Sequence, residues 1–446
     1  MINHLGLRNF KGFENESIEL RPITLLLGPN NSGKSAAISS IKLLAQTLES
    51  YDRTVPLLLN GKYGDFGTYK DLVFKNNPSR QMHLSIESKK SFSGKNQSEE
   101  QIADSRLSLK YKFKSQAKQI VLDIVDISLG GKNRASFKYS DEKESLLLTS
   151  LLGENLHASQ IASINEPSFF HFLPNSIWVN KVEQSNKKNQ SQRKLTEEQI
   201  KVVEEFHVSL RSIYTSLSQM DYLSALRLPP ARTYAYSGEK HAKVGAAGEN
   251  AMSIFAMDTL RKDQKSKSLN SQVVSWLSKA GIASEIAIQD LAGRFFELQI
   301  KHPSTGVAQN IADVGFGVSQ VLPVLVGGFN ARKNSTYIVE EPEIHLHPKA
   351  QAELGAFFYS LYKNSVQSII ETHSEHLILR LLQYVAKGEI PSKDIVIYAV
   401  TTSDKGCNLT KIEIDSSGTF VGTWPTGFFP ERLDEARKLA LARSGN

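Results

Sequence analysis

The residues best suited to chemistry stand near the start of the chain, in the segment Gly28-Pro-Asn-Asn-Ser-Gly-Lys-Ser35. Its spacing, GxxxxGK[ST], is typical of loops whose glycines let successive backbone N–H groups turn toward a nucleotide phosphate. A following helix would point the positive end of its dipole at the same phosphate. Lys34 is then predicted to bind the β- and γ-phosphates, and the Ser35 hydroxyl to ligate Mg²⁺. The rest of the predicted phosphate cradle is Gly28, Pro29, Asn30, Asn31, Ser32 and Gly33.

A second motif is Tyr337-Ile-Val-Glu-Glu-Pro-Glu-Ile-His-Leu-His-Pro348, an apolar stretch that ends in two carboxylates. Beside a phosphate-binding loop, the first acid at such a strand end helps to hold Mg²⁺ and the second polarises the attacking water. This pattern assigns Glu340 to the metal and Glu341 to the water. Aspartate is the more usual metal residue, and a strand end with solvated acids is the alternative interpretation.

Histidines mark a third motif, Gln367-Ser-Ile-Ile-Glu-Thr-His-Ser-Glu-His376. A buried strand is predicted to end near His373, where an imidazole could bind the γ-phosphate and sense it. The pairs His345-x-His347 and His373-x-x-His376 also have spacings found in zinc sites. No cysteine lies near them, so zinc is the less favoured interpretation.

The fourth motif, Asp313-Val-Gly-Phe-Gly-Val-Ser-Gln-Val-Leu-Pro323, places two glycines ahead of an apolar helix pattern. Such a helix start could face a phosphate. Taken alone, this motif is also consistent with an ordinary tight turn.

The remaining pattern predicts elements that would position these motifs. An apolar strand at 23–27 precedes the first motif, and a helix at about 34–49 follows it. Period-two segments from 82 to 152 predict antiparallel strands, and a helix is predicted from a capping box at Thr196. Residues 312–400 alternate helix and strand as α/β units do. Strands from 391 and a helix at 431–443 end the chain.

Composition limits the class of protein. The 446 residues are 40% hydrophobic and include one cysteine, and no apolar run approaches the roughly 20 residues that cross a bilayer. A cytoplasmic protein without a membrane contact is therefore expected. The formal net charge of +7 leaves contact with DNA or RNA open. The sharpest basic cluster, residues 185–194, is favoured as a solvated loop.

Taken together, the four motifs resemble the ABC-type ATPase heads of the SMC, RecF and overcoming-lysogenization-defect (OLD) families. The resemblance covers roughly residues 1–75 and 285–385. Two further segments are similar to elements of one bacterial group of these ATPases, Asn60–Phe74 and Trp424–Phe429. Tyr222–Arg232 resembles a Tyr/Arg element of the same group, in which structural roles for Arg227 and Arg232 are favoured over phosphate contacts.

The resemblance implies an α/β fold, an ABC-type P-loop ATPase head whose mixed sheet is joined to an antiparallel β lobe. It also implies a β-rich and helical insertion and a small α+β extension. The implied division is 1–80 for the N-terminal part of the head, 81–232 for the insertion, 233–390 for the C-terminal part of the head, and 391–446 for the extension.

A mechanism is implied as well. Two copies would hold two molecules of Mg²⁺-ATP between them, as a homodimer or a higher even-numbered oligomer. His373 matches the switch histidine and would act with Lys34 and Glu341 in catalysis. Each ATP would lie on one copy's phosphate loop and contact four residues of the other copy, namely Gly315, Gly317, Ser319 and Gln320.

The leading functional hypothesis is the ATPase sensor of a bacterial anti-phage defence system that governs a separate effector nuclease, as in Septu-like and PARIS-like systems. It rests on the expectation that the chain after the head is too short for the TOPRIM domain of OLD nucleases. A RecF-like DNA-binding ATPase of DNA repair and a histidine-based metal hydrolase are the alternatives. The signature is not LSGGQ, and Asp65 is only a candidate for the missing coupling glutamine.

Overall fold

A computed structural model describes residues 1–93, 100–151, 169–174, 197–236, 238–260, 268–291 and 293–421. The chain forms two compact units. The first contains residues 1–20, 36–220 and 404–407, and the second contains residues 21–35, 221–403 and the chain from 408 onward. The predicted basic loop at 185–194, the Thr196 cap, the element at 424–429 and the helix at 431–443 lie outside the described residues. No helix within the described ranges combines the length and apolar composition needed to cross a membrane.

Strands supply most of the first half of the chain and alternate with helices in the second half. The strands are β1 Ile2–Phe10, β2 Phe13–Glu19, β3 Ile23–Leu27, β4 Asn60–Gly61, β5 Gly64–Asp65, β6 Met82–Ser93, β7 Glu100–Lys114, β8 Gln119–Leu129, β9 Lys132–Ser140, β10 Ser145–Leu151, β11 Phe169–Phe170, β12 Leu173–Pro174, β13 Asp221–Leu223, β14 Tyr234–Ala235, β15 Glu285–Leu291, β16 Phe295–Lys301, β17 Ala308–Asn310, β18 Thr336–Glu340, β19 Gln367–Glu371, β20 Ile395–Ser403, β21 Gly406–Ile414 and β22 Phe420–Val421.

The helices are α1 Lys34–Leu48, α2 Tyr69–Leu72, α3 Glu197–Ser218, α4 Ala251–Thr259, α5 Leu269–Ala280, α6 Phe316–Asn330, α7 Pro348–Lys363 and α8 Glu375–Ala386.

The first unit is built on an antiparallel sheet of order β10-β9-β8-β7-β6-β1-β2. Buried and less buried residues alternate along most of β8, as expected for a strand with one face on a core. Helix α3 packs on this sheet, where the Ser88 hydroxyl lies 3.1 Å from the Ser212 hydroxyl. Strand β2 was not predicted, because its sequence FENESIE is mostly polar and it forms the edge of the sheet.

The second unit contains a sheet of order β13-β18-β19-β3-β20-β21-β22. Strands β13, β18, β19, β3 and β20 run parallel. Every residue of β18, β19 and β3 is buried, and the nearly continuous apolar sequence of β3 reflects this. The carboxyl ends of these three strands meet at one edge of the sheet, the usual place for ligands in α/β sheets.

Two of the predicted domain boundaries cut through sheets. Strand β1 pairs with β6, so the chain before residue 80 and the insertion after it share one sheet. Strand β20 pairs with β3, so the segment from 391 begins inside the central sheet of the second unit and not in a separate extension. The α/β class, with a mixed sheet and an antiparallel β lobe, is confirmed.

Candidate nucleotide-binding site

The loop Gly28–Ser35 connects β3 to α1 in a conformation that depends on its glycines. Gly33 has φ of 100°, in the left-handed region that favours glycine, and Asn31 has φ of 63°. A Cβ atom at Gly28 would lie 2.4 Å from the Ser32 hydroxyl and 2.5 Å from the Val400 carbonyl oxygen. The loop therefore closes on itself against β20, and a side chain at position 28 would force it open.

The Ser32 hydroxyl is buried and has no hydrogen-bond partner among the described residues. The loop carbonyl of the same residue accepts a hydrogen bond from the Thr402 hydroxyl at 3.0 Å, which fixes the backbone. A buried hydroxyl that lacks a partner costs stability, and a phosphate oxygen would satisfy it. The cradle thus presents an unsatisfied polar group of the kind that a phosphate requires.

The Lys34 side chain is buried inside this loop. Its ammonium group donates to the carbonyl oxygens of Gly28 at 2.7 Å and Pro29 at 3.0 Å, and it lies 3.8 Å from the Glu371 carboxylate. Burial lowers the Lys34 pKa, and Glu371 is the largest of the charges that oppose this shift. Lys34 is therefore preorganised within its own loop, beside the carboxyl ends of the strands. Pro29, Asn30 and Asn31 are exposed at the outer side of the loop.

Glu340, the last residue of β18, is held from two sides. The Tyr222 hydroxyl donates to its carboxylate at 2.9 Å. The Arg227 guanidinium donates to the backbone carbonyls of Glu340 at 2.7 Å, Glu341 at 3.1 Å and Gln320 at 3.3 Å. Arg227 is buried and bonds backbone carbonyls, as the favoured structural interpretation requires. Tyr222 is a site residue whose role the sequence did not indicate.

Glu341 has φ of 44°, a strained conformation for a residue with a side chain, and its N–H donates to the Glu371 carbonyl at 2.7 Å. Its carboxylate lies 4.0 Å from the His373 imidazole. Burial, and then the charge of Lys34, lower the His373 pKa, so the ring is neutral at pH 7. The backbone N–H of His373 donates at 2.6 Å to the Glu343 carboxylate, whose pKa is raised by its own burial.

Glu371 is the residue of the site that the sequence analysis missed. It ends β19 opposite Glu340, and its carboxylate accepts the Ser35 hydroxyl at 2.9 and 3.2 Å. Burial, and then the charge of Glu340, raise the Glu371 pKa to about 7. An acidic residue at the end of a predicted strand could have indicated Glu371. The sequence motif was instead interpreted through His373, two residues later.

The glycine motif forms the start of α6, with Gly315 at the N-cap position. A Cβ atom at Gly317 would lie 3.0 Å from the His345 carbonyl oxygen, whereas Gly315 faces open space. Ser319 and Gln320 are only 1% and 7% exposed, and the Ser319 hydroxyl donates to the Phe316 carbonyl. The prediction that these two side chains contact a nucleotide on another copy is therefore not supported, since both are buried within their own chain.

The remaining histidines have local contacts. His347 caps α7 by accepting the Lys349 N–H at 3.4 Å, and the His345 ring packs against the exposed Phe316 ring at 5.9 Å. In the described part of the chain, no group of three or more His, Cys, Asp or Glu residues is arranged to hold a metal ion. Arg232 pairs with Asp313 at 2.9 Å, and the Asp65 carboxylate accepts the Gly67 N–H within its own turn.

Comparison with known proteins identifies the family of the chain. The model described as AAA ATPase domain matches residues 1–378. The chain belongs to the AAA ATPase domain family. It is therefore a P-loop ATPase, and nucleotide binding is a property of its family.

This AAA ATPase is also 29% identical over 140 residues to an OLD nuclease of Thermus scotoductus, a match that covers 28% of the chain and 25% of that nuclease. Two SMC heads are similar in structure. The Thermotoga maritima head has a TM-score of 0.41 and 11% identity, over 93% of this chain and 99% of that one. An SMC head bound to the C-terminal domain of ScpA from Pyrococcus furiosus has a TM-score of 0.43 and 13% identity, over 92% and 96%.

The structure brings one group of the predicted residues of this AAA ATPase together, in the second unit. Lys34 and Ser35 both contact Glu371, which ends the strand beside that of Glu340, and Glu341 lies next to His373. The glycine motif forms a separate part of the surface, where Phe316 and His345 line a groove of ≈ 670 Å³.

Proposed function

We propose that this AAA ATPase binds ATP on the Gly28–Ser35 loop together with Mg²⁺, and that two copies close on two such nucleotides. The observation that carries the proposal is the unsatisfied phosphate cradle, in which the Ser32 hydroxyl has no partner among the residues that the structure describes and Lys34 is fixed beside the carboxylates. Hydroxyl and carboxylate oxygens are the donors that Mg²⁺ prefers. Ser35 and Glu340 would hold the cation, which when bound offsets the charge of the β- and γ-phosphates.

Hydrolysis would rest on two side chains at the open end of the site. The Glu341 carboxylate is 30% exposed and the His373 side chain 39%, so both can reach a nucleotide and a water molecule. Glu341 would accept a proton from the attacking water. A neutral His373 would donate a hydrogen bond to the γ-phosphate through one ring nitrogen. The loss of that phosphate on hydrolysis would remove the contact, which is the basis of a switch.

Contact between copies would use the surface at the start of α6. Gly315 is the open N-cap of that helix, and Gly317 approaches the loop of His345. Helix N-termini attract phosphate because their first N–H groups lack partners. Exposed Phe316, at 60%, would add apolar contact area. ATP held by one copy would therefore join the two copies, and hydrolysis would release them.

The biological role is proposed as ATP-dependent control of a separate effector nuclease in anti-phage defence. The match to the OLD nuclease supports a related ATPase, and it covers only a quarter of that nuclease. An ATPase that switches between separate and closed copies can expose or hide a partner surface. Co-purification of the chain with its effector should depend on ATP, and ATP-dependent binding to duplex DNA without any protein partner would favour the RecF-like alternative.

Lys34→Ala tests the nucleotide site. The variant removes the only described ammonium group within the loop, so ATP affinity measured by titration calorimetry should fall at least tenfold. Lys333→Ala, exposed in the turn between α6 and β18, is the control and should bind ATP as the wild type does. Equal ATP affinity for Lys34→Ala and the wild type would refute the proposed site.

A further inference from the structure

The proposed Mg²⁺ site needs an acceptor for the proton of the Ser35 hydroxyl, and Glu371 lies in the position of that acceptor. A serine hydroxyl that ligates a cation through a lone pair still carries its proton, and that proton needs an acceptor. In this structure the acceptor of the Ser35 proton is the Glu371 carboxylate, with its two oxygens at 2.9 and 3.2 Å. The bond fixes the rotation of the hydroxyl about the Cβ–Oγ bond of Ser35.

The strand order of the sheet brings Glu371 close to Ser35. Strand β19 lies between β3, which leads into the phosphate loop, and β18, which ends in Glu340. Glu371 pairs in register with Glu340 on one side and with Leu26 on the other. Side chains at paired positions of adjacent strands point to the same face of a sheet. Glu371 and Glu340 therefore bring two carboxylates to the face where Ser35 lies in the first turn of α1.

We infer that Glu371 is a positioning residue for the divalent cation, a role that rests on the proposed Mg²⁺-nucleotide site. It accepts the Ser35 proton, orients the hydroxyl toward the cation, and adds negative charge beside Glu340. Partners of metal ligands that act in this way commonly change metal affinity by 10–100-fold when they are replaced. The same negative charge repels a triphosphate when no cation is present. Glu371 thus makes nucleotide binding depend on the divalent cation.

Glu371→Gln separates this role from a structural one. Glutamine has the same length and can still accept the Ser35 proton through its amide oxygen, but it carries no charge. ATP affinity should be measured by calorimetry in EDTA and in increasing Mg²⁺, and Mn²⁺ binding to the protein–nucleotide complex by electron paramagnetic resonance. We expect metal-free ATP affinity to be several-fold higher than that of the wild type, because the repelling charge is removed. We expect Mn²⁺ affinity to fall by about tenfold or more.

The control is Glu353→Gln, which removes a partly buried carboxylate from its ion pair with Arg380 in the same unit. It should retain the wild-type dependence on Mg²⁺. If Glu371→Gln remains folded and also retains wild-type Mn²⁺ affinity, the inference is overturned while the nucleotide site stands. Failure of the wild type to bind ATP under any condition would instead refute the proposed function itself.

Discussion

Single residues of the site form a buried set of opposite charges. Lys34 is 4% exposed, lies 3.8 Å from Glu371, and has Glu341 and Glu343 near enough to influence its pKa. The carboxyl groups of Glu340, Glu341, Glu343 and Glu371 outnumber the two cations that they influence, Lys34 and Arg227. This balance disfavours a bare triphosphate and favours one that carries a cation. We therefore expect the nucleotide and the cation to bind together.

Glu341→Gln is the sharpest change at this scale. The amide cannot accept a proton from water, so the turnover of ATP should fall at least a hundredfold while ATP still binds. Phosphate release measured in single-turnover experiments would separate the chemical step from binding. Glu285→Gln, an exposed change on β15, should leave turnover unchanged. Normal turnover in Glu341→Gln would contradict the role proposed for this carboxylate.

The site residues differ in how well the sequence could predict them. Lys34 and Ser35 follow from a spacing whose backbone geometry is nearly fixed by its glycines. Glu371 could not be predicted in this way, because its role depends on β19 lying between β3 and β18. A local sequence pattern does not determine the order of strands in a sheet. The burial of Ser319 and Gln320 could not be predicted either, because their polar types resemble those of exposed helix starts.

At the scale of elements, the parallel strands and one arginine set the geometry. Strands β3, β18 and β19 bring the phosphate loop, Glu340 and Glu371 to one edge of the sheet. Arg227 then joins the backbone after β18 to that of α6 through three carbonyl contacts. Buried hydrogen bonds from a charged donor contribute about 1.5–3 kcal/mol each when removal leaves partners unsatisfied. The hydrogen bonds of Arg227 thereby link the backbone of Glu340 and Glu341 to that of the helix that follows the glycine motif.

Asp221 on β13 gives a prediction about pH at this scale. Burial raises the pKa of its carboxyl to about 7, although the backbone N–H groups of Val244 and Tyr222 partly oppose the shift. Between pH 3.8, the ordinary pKa of an aspartate carboxyl, and about pH 7, the unfolded chain releases a proton that the folded chain retains. The free energy of unfolding should therefore fall as the pH rises through this interval and level off above it.

Asp221→Asn should remove this component. Urea unfolding of the wild type and the variant from pH 4.5 to 8 should show the wild type losing stability relative to the variant by a few kcal/mol, since one pKa unit is about 1.4 kcal/mol. Asp290→Asn on the exposed side of β15 is the control. A difference between wild type and Asp221→Asn that stays constant with pH would contradict the assignment.

The elements themselves were mostly predictable, and their partners were not. The apolar run of β3 and the period-two segments of β6–β10 indicated strands because burial on one or two faces leaves a direct mark on sequence. Strand β2 left no such mark at its polar edge. The pairing of β20 with β3 joins residues more than 350 positions apart, and no local periodicity carries that information.

At the scale of the whole molecule, the proposed nucleotide site is completed by a second copy of the chain. Phe316 is 60% exposed beside a groove, and the N-terminus of α6 at Gly315 faces open space. The proposed catalytic groups and this surface both belong to the second unit. A bound triphosphate would supply the negative charge that each copy's α6 N-terminus attracts.

The most direct test of this claim is the molar mass of Glu341→Gln, measured by size-exclusion chromatography with multi-angle light scattering. With Mg²⁺ and ATP, the mass should be twice that observed in the absence of nucleotide, because the nucleotide remains unhydrolysed between the copies. Adding Gly317→Asp, which places a carboxylate beside the expected phosphate, should abolish the increase while ATP still binds. A mass that does not change when ATP is bound to Glu341→Gln would contradict the account.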